Sequence, residues 1–387
     1  MNIILFNSET LVARELFNAL AKRNDIRFIN VAIPFSPPSE HAETIFETLK
    51  KHCPALVISI NDAGYDTRGE LQKKLISAGC YIANWYHDYP FYYHEFHSRA
   101  YTPSPRRIDF ISEKSYTAVL ESKGYASHFL PLATDPVYFN TNTPRVPERD
   151  IAFVGNSSLH LMDIIITEEM AENIQKCKAL YADLKKAYYN DFTLNIRELI
   201  IQNCSLWKKQ ITVPEEKFIF AMEWMIGYQF RRDFLVDISK TYKDRFVLFG
   251  DPYWQQFVKD SLVTPEACYY DNLCRYYRTT KINLNINRIQ IRTSFTQRHF
   301  DTKAAGAFLL TEKRECNSLY FITDGPNQEL VEYESLSHCK ELIDYYLTHE
   351  EERERIAENG IDKILRNHTY DNRIEEMLAV CRERWRF

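Results

Sequence analysis

Glycine is scarce in this chain. There are ten in 387 residues, against 5 Trp, 25 Tyr and 24 Phe. No two glycines stand closer than Gly64 and Gly69. G-x-G-x-x-G is therefore absent. Gly64 and Gly69 have the G-x-x-x-x-G spacing, but Glu70-Leu71 follows where G-x-x-x-x-G-K-[ST] needs Lys and then Ser or Thr, so both common glycine-rich cradles for nucleotide phosphates are missing. A nucleotide held here needs its phosphates neutralised in another way. C-x-x-C pairs are missing too. The nine cysteines are scattered singly, as expected of reduced, mostly core thiols in a cytosolic protein. Positive charge is not in surplus: 48 Lys and Arg face 53 Asp and Glu, a net charge of −5. That balance argues against bulk attraction to nucleic acid or to an anionic membrane. No run of eighteen apolar residues occurs, so no transmembrane segment is expected. The opening Met1-Asn2-Ile3-Ile4-Leu5-Phe6-Asn7 has no basic stretch before its apolar run, and reads as a first strand. The expected location is the cytoplasm.

What is present is globular: 45% hydrophobic and 26% charged, long enough for two domains with a sizeable core in each. Short apolar runs alternate with amphipathic stretches through the first 140 residues. Strands are expected at Ile3–Phe6, Arg27–Ile33, Ala55–Ile60, Tyr81–Trp85, Ile108–Ser112 and His128–Leu130. Helices are expected at Leu11–Lys22, Ala42–Lys51 and Glu70–Ala78. Repeated β-α-β of this kind means a parallel sheet covered on both faces.

Residues 140–150, polar with two prolines, read as a linker, and a strand at Ile151–Gly155 follows. From Asn156 to Val213 there is neither glycine nor proline. Residues 160–230 therefore read as a helical insertion, serving either as packing or a dimer contact, or as a wall of an acceptor site. The α/β rhythm then resumes. Helices are expected at Phe230–Ser239, Leu273–Arg278 and Thr296–Ala305, and strands at Arg245–Phe249, Lys281–Ile286 and Ala307–Leu310. A helical tail follows at His338–Leu347, Glu350–Asn367 and Asp371–Arg386. The expected organisation is α/β, with two Rossmann-like doubly wound domains facing a cleft: 1–145, 146–370 carrying the insertion, and a terminal helix at 371–387. In doubly wound sheets ligands bind at the carboxyl ends of the strands.

The most informative stretch is 281–311, KINLNINRIQIRTSFTQRHFDTKAAGAFLLT. A strand bearing Asn283 and Asn285 leads through a polar loop to a helix bearing Arg298 and Asp301. Ser294 or Thr296 can cap that helix, whose free N–H groups form an anion site without glycine. Arg298 adds a fork for phosphate oxygens, and Asp301 an acceptor for two ribose hydroxyls. The same letters also describe an ordinary capped helix with a surface Arg and Asp three apart.

This stretch resembles the nucleotide-sugar segment of GT-B glycosyltransferases, within the glycosyl transferases group 1-like families, and specifically the spore-maturation CgeB-like group. The matching positions are Leu284 and Asn285, then Thr296, Arg298, Phe300, Asp301, Ala304, Gly306, Ala307, Phe308, Leu310 and Thr311. They continue through Phe321, Gly325, Glu329 and Tyr333, Glu341-Leu342, Tyr346-Leu347, Arg353, Ile356, Ala357 and Gly360, to His368-Thr369-Tyr370 and Arg373. Upstream, Ile151 to Asn156 resembles the strand opening the family's second domain. Arg231 or Arg232 stands where the family often has an arginine, and Phe249-Gly250 with Trp254 resembles a further strand end. The likeness spans about 230–375 firmly and 80–156 more loosely, and omits 160–230.

The resemblance implies a GT-B fold with a nucleotide-sugar donor, a UDP-sugar by expectation, bound in the second domain as substrate and without a separate cofactor. It implies donor contacts at Arg231, Gly250, Tyr269, Asn285, Ser294, Thr296, Arg298, Asp301 and Glu329. Tyr269 or Tyr270 either stacks on the base or packs on the helix beginning near Asn272. Asp301 stands where the family usually has Glu. Thr293 stands where many retaining enzymes carry a second acid, which weighs against a two-glutamate retaining mechanism.

A second block, Asn84-Trp85-Tyr86-His87-Asp88-Tyr89-Pro90, follows a strand's carboxyl end. His87 or Asp88 is a candidate base for the acceptor hydroxyl. Tyr86, Tyr89, Phe91, Tyr92 and Tyr93 either stack on sugars or form core. His94, Glu95 and His97 invite a metal reading, but no third ligand is evident and no metal is expected. The expected partners are the donor and a glycan or protein acceptor, with a homodimer through the insertion open. The leading expectation is a metal-independent glycosyltransferase. The alternatives are a nucleotide-sugar epimerase of the same fold and a non-catalytic nucleotide- or glycan-binding relative.

Overall fold

The computed structural model describes residues 2–9, 11–92, 103–265, 269–270 and 272–386. The chain divides into two units, Met1–Asp135 with Asn367–Phe387, and Pro136–Arg366. The division falls at 135/136, where the composition pointed to 145/146. Residues 140–150 are not a loose linker. Arg278 Nε donates to the Thr143 carbonyl, and Arg145 pairs with Glu354 at 2.6 Å, both within the second unit.

The first unit is built on β1 (Asn2–Asn7), β2 (Arg27–Ala32), β3 (Leu56–Ile60), β4 (Tyr81–Tyr86), β5 (Arg107–Ile111) and β6 (Ser127–Phe129). All are parallel, in the order β2-β1-β3-β4-β5-β6. Helices α1 (Ala13–Ala21), α2 (Ala42–Leu49), α3 (Glu70–Ser77) and α4 (Tyr116–Ser122) connect them. Side chains alternate across a strand. Ile3 and Leu5 of β1 thus enter the core on one face with Leu16 and Leu20 of α1, while Ile4 and Phe6 enter the other with Ala42, Leu49, Leu71 and Leu75. Covering both faces is why β3, Leu-Val-Ile-Ser-Ile, is buried at every position.

The second unit repeats the plan. Its elements begin with β7 (Arg149–Val154), α5 (Leu159–Ile165), α6 (Glu168–Lys176), α7 (Lys178–Asn190), α8 (Ile196–Gln202) and α9 (Glu215–Tyr242). They continue with β8 (Phe246–Phe249), β9 (Leu262–Thr264), α10 (Leu273–Arg278), β10 (Thr280–Leu284), α11 (Arg298–Ala304), β11 (Leu309–Glu312), α12 (Asn317–Tyr320) and β12 (Val331–Tyr333). Last come α13 (Leu336–Thr348), α14 (Glu350–Glu358) and α15 (Ile361–Asn367). The parallel sheet runs β12-β11-β10-β7-β8-β9. Chain order reverses between β7 and β10, so a crevice opens beyond their carboxyl ends, after Val154 and Leu284.

The helical segment differs from expectation in one respect. The strip expected to break at 230 is one helix, α9, of 28 residues. Phe230 does not end it, because its ring is needed inside: it meets Tyr188, Tyr189 and Phe192 edge-on or tilted. Phe192 and Phe234 in turn pack on Tyr333 of β12. The insertion is thereby fastened to the sheet of its own unit. The tail expected as one helix at 350–367 breaks at Gly360, whose φ of +79° is left-handed.

The chain finally returns to the first unit through α16 (Tyr370–Trp385). Thr369 opens it with a capping box. Ile374, Met377, Leu378 and Cys381 complete the core against α1. Beside it Thr134 bridges to Thr369, with Thr134 N–H donating to His368 O and Tyr370 N–H to Thr134 O.

Candidate functional site

The crevice of the second unit is organised around Phe153 near the end of β7. Two guanidinium groups lie on its ring, Arg231 with Cζ 4.9 Å and Arg298 with Cζ 5.4 Å from the centroid. Their surroundings differ. Arg298 Nη1 donates to Asn285 Oδ1 at 2.9 Å, and Nη2 donates to the Val154 carbonyl. It ties together the ends of β7 and β10 through its two Nη groups, while its buried Nε has no partner among the described residues. The two Nη groups of the residue expected to meet phosphate thus have protein acceptors here.

Arg231, on α9, is only 8% exposed. Among the described residues it has no hydrogen bond and no ion pair, and its Nε is buried without a partner. Burial pushes its pKa well below 12.5, and Arg288 and Arg298 add to this; Glu312 and Asp251 oppose it. A guanidinium does not deprotonate in practice. The shift therefore expresses the cost of holding this charge away from water and beside two other arginines. Gly155 makes room for it: a Cβ there would lie 2.4 Å from Arg231 Nη2.

Arg231 lines a narrow pocket with Arg288, Ser157, Ser158, Trp224, Gly227 and neighbours. Its cavity volume of about 20 Å³ suits an anion's oxygen and not a sugar ring. The turn beside it is fixed by Asp251, whose Oδ2 accepts the Ser157 N–H at 2.6 Å, and Ser158 is left-handed at φ +65°. Arg288 was not singled out by its sequence context. Its placement depends on a loop folding back against α9, and the glycine at 227 inside a helix is the one letter that hints at so close an approach.

Several other residues expected at the donor have protein partners. Asn285 accepts from Arg298, and its Nδ2 donates to Asn287 Oδ1 and Thr311 Oγ1 at 3.0 and 2.9 Å. The chain continues to His299 Nε2, 3.0 Å from Thr311 Oγ1. Burial lowers His299 to about 3, so the ring is neutral and can accept there while Nδ1–H donates to Thr296 O. Neither Ser294 nor Thr296 caps α11. Gln297 holds the cap position, without a side-chain cap. Ser294 is fully buried, its Oγ 3.7 Å from Cys316 Sγ, and Thr296 Oγ1 is buried without a partner among the described residues.

Asp301, fully buried, accepts Tyr269 O–H at 2.8 Å and Gln297 Nε2–H at 3.3 Å. The Tyr269 ring meets Phe139 and Tyr270. Gly250 lets the end of β8 approach β7, since a Cβ there would lie 2.6 Å from the Gly155 carbonyl oxygen. Glu329 does not face the crevice with a free carboxylate. It pairs with Lys363 and accepts the Ile322 N–H at 3.0 Å. Its polar capacity is used in fastening α15 to the loop before β12.

In the first unit, His87 and Asp88 follow β4. Asn61 holds them from the end of β3: its Oδ1 accepts the His87 N–H at 2.9 Å, and its Nδ2 donates to Asp88 Oδ2 at 3.1 Å. Asn61 and Asp62 are both left-handed, at φ +50° and +57°. Such backbone persists only where the surroundings impose it; here Asn84 Oδ1 accepts the Asp62 N–H at 2.8 Å. The His87 ring packs edge-on to Trp85, and burial lowers its pKa to about 3. The imidazole proposed as a candidate base is thus neutral at physiological pH and a weak base. Tyr93, His94, Glu95 and His97 lie outside the described residues. Among the described residues no group of three His, Cys, Asp or Glu could hold a metal ion, and no helix is long and apolar enough to cross a membrane.

Comparison with known proteins bears on this arrangement. Residues 231–379 match the family described as "Glycosyl transferase-like". Among solved structures, similarity extends over nearly the whole chain. A glycosyltransferase from Rickettsia africae ESF-5 has TM-score 0.57 at 11% identity, covering 99% of this chain and 98% of that one. Anabaena Alr3699/HepE in complex with UDP-glucose has TM-score 0.56 at 10% identity, covering 98% and 99%. The chain has the GT-B fold. A third GT-B match, the sucrose-phosphate synthase tll1590 of Thermosynechococcus elongatus, has TM-score 0.54 at 11% identity, covering 99% and 98%. None of the curated proteins compared matches this chain.

Proposed function

We propose that this GT-B protein is a glycosyltransferase that moves a sugar from a nucleoside-diphosphate donor to a hydroxyl acceptor. The observation that carries the reading is Arg231, a buried guanidinium with no hydrogen bond or ion pair among the described residues, at the point where chain order reverses. The donor's diphosphate supplies that anion. As the bond to the sugar breaks, charge develops on the leaving phosphate, and fixed positive groups that await it lower the barrier. Arg231 and Arg288 take this role with no metal needed. Arg298 acts one step back, holding the strand ends on which the pocket depends.

A UDP-sugar is the proposed donor, and the structural similarity to a protein solved with UDP-glucose supports it. No separate cofactor is proposed. The motif order from Thr296 to Arg373 supports membership of the CgeB-like group. On the acceptor side Asp88, oriented by Asn61, is the proposed base. His87, with a pKa of about 3, is too weak a base for that step. The test is a panel of UDP- and GDP-sugars incubated with the protein, with and without glycan and protein acceptors. Release of nucleoside diphosphate that depends on acceptor supports the reading. An isomerised sugar without release would point to an epimerase, and binding without any turnover to a non-catalytic relative.

A further inference from the structure

Along α9, Glu223, Gly227 and Arg231 stand at i, i+4 and i+8, and so share one stripe of the helix. The loop after β10 meets the same stripe in reverse order. Arg292 Nη2 donates to Glu223 Oε1 at 2.7 Å. Ile289 lies against Gly227, where an added Cβ would come within 2.5 Å of Ile289 Cβ. Arg288 faces the pocket it shares with Arg231. The Glu223 carboxylate is 3% exposed, and Arg197 of α8 reaches its Oε2 at 3.5 Å. Two like charges at the end of such a seam repel each other, so something must hold them together.

We propose that the Glu223–Arg292 ion pair and the Gly227–Ile289 contact position the loop so that Arg288 and Arg231 close on one diphosphate. Glu223, Arg292 and Gly227 are positioning residues, acting through the two arginines. The helical insertion is then part of the donor machinery: it supplies one arm of the clamp and the latch for the other. Ion-paired hydrogen bonds inside protein are strong and directional, which suits them to fixing a loop. The glycine sets how near the loop can come, and no side chain fits at 227 without pushing Ile289 away. This inference rests on the reading of the pocket as the diphosphate site.

The experiment compares wild type, Glu223→Gln and Gly227→Ala by calorimetric titration with UDP, UMP and inorganic pyrophosphate, with thermal unfolding as a check on folding. GDP replaces UDP, and GMP replaces UMP, if UDP does not bind. Glu223→Gln preserves shape and keeps one acceptor for Arg292, and Gly227→Ala keeps every charge, so the two disturb the loop by independent routes and either one, folded, tests the proposal. The expected result is a loss of about 10- to 100-fold for UDP and pyrophosphate in each folded variant, with the UMP affinity changed less than about threefold. Equal losses for UDP and UMP would mean general loosening and would overturn the positioning role, as would unchanged affinities. Wild type binding pyrophosphate but neither nucleoside diphosphate would remove the proposed function, while the clamp is still read from pyrophosphate. Wild type binding none of these probes would remove both.

Discussion

Replacing Arg231 with Met should move two quantities in opposite directions. In the unliganded protein the guanidinium is a cost: it is 8% exposed, faces Arg288 and Arg298, and has no hydrogen bond or ion pair among the described residues. Exchanging buried charge for a well-packed apolar side chain commonly stabilises by about 1–4 kcal/mol. The contact with the Phe153 ring is lost, which gives back about 0.5–2 kcal/mol. A net gain of about 1–2 kcal/mol is expected, and for a unit of this size that raises Tm by roughly 2–8 °C. Ligand binding should fall. Losing charge-assisted hydrogen bonds of about 1.5–3 kcal/mol weakens a nucleoside diphosphate roughly 10- to 150-fold. In wild type, ligand at a hundred times its Kd adds about 2.7 kcal/mol of stability. In the variant, the same concentration adds about 0.3–1.4 kcal/mol. Thermal unfolding with and without UDP should therefore show the variant ahead when empty and with a clearly smaller ligand-induced shift than wild type. A variant that melts several degrees lower when empty, yet keeps its full ligand-induced shift, would mean that Arg231 serves the fold and not the donor.

Three further perturbations test other assignments. In an acceptor-dependent transfer assay, Asp88→Asn should lower kcat by about 10²- to 10⁴-fold, whereas His87→Asn should leave the pH–rate profile between pH 5 and 8 unshifted; a lost ionisation in the His87 variant would restore histidine as the base. Glu329→Gln breaks the pairing with Lys363 and should cost about 1–3 kcal/mol of stability while UDP affinity stays within about twofold; a tenfold affinity loss at unchanged Tm would return Glu329 to the donor site. Lys303 is buried, and burial lowers its pKa from 10.5 to about 7. Between those values the unfolded chain holds the extra proton, so this group's contribution to stability rises with pH, by at most about 1.4 kcal/mol per pH unit. The stability of wild type relative to Lys303→Met should accordingly increase from pH 7 to 9 in chemical denaturation, and a flat difference would refute the burial argument.

The doubly wound plan was legible because buried parallel strands leave near-continuous apolar runs, as at Leu56–Ile60, and the helices between them keep a 3.6-residue period. The edge strands β9 and β12 were not legible: Leu-Val-Thr and Val-Glu-Tyr are three residues each, too short to show any period. The site was legible by neighbourhood and not by role. Arg298, Asn285 and Asp301 all sit at the crevice, yet the first two join strand ends and the third is held by Tyr269 and Gln297. A polar residue that fastens a loop and one that awaits a ligand have the same letter. They differ only in whether the fold provides a partner. Arg231 was reached through family resemblance, and what distinguishes it, a missing counter-charge, exists only once α9 and the loop after β10 have come together.

The return of α16 to the first unit bears on how the protein is made. The first unit's core is incomplete until Ile374, Met377, Leu378 and Cys381 arrive to cover α1 and β1. Everything between Pro136 and Arg366 is synthesised before they do. The second unit holds all its own strands and can fold as it emerges, while the first must wait with one face of its sheet bare. During that interval a chaperone, or an aggregating neighbour, meets an apolar surface that the finished molecule no longer offers. A nonsense change just after Arg366 would thus leave the pocket around Arg231 whole and strand the part of the protein that was translated first.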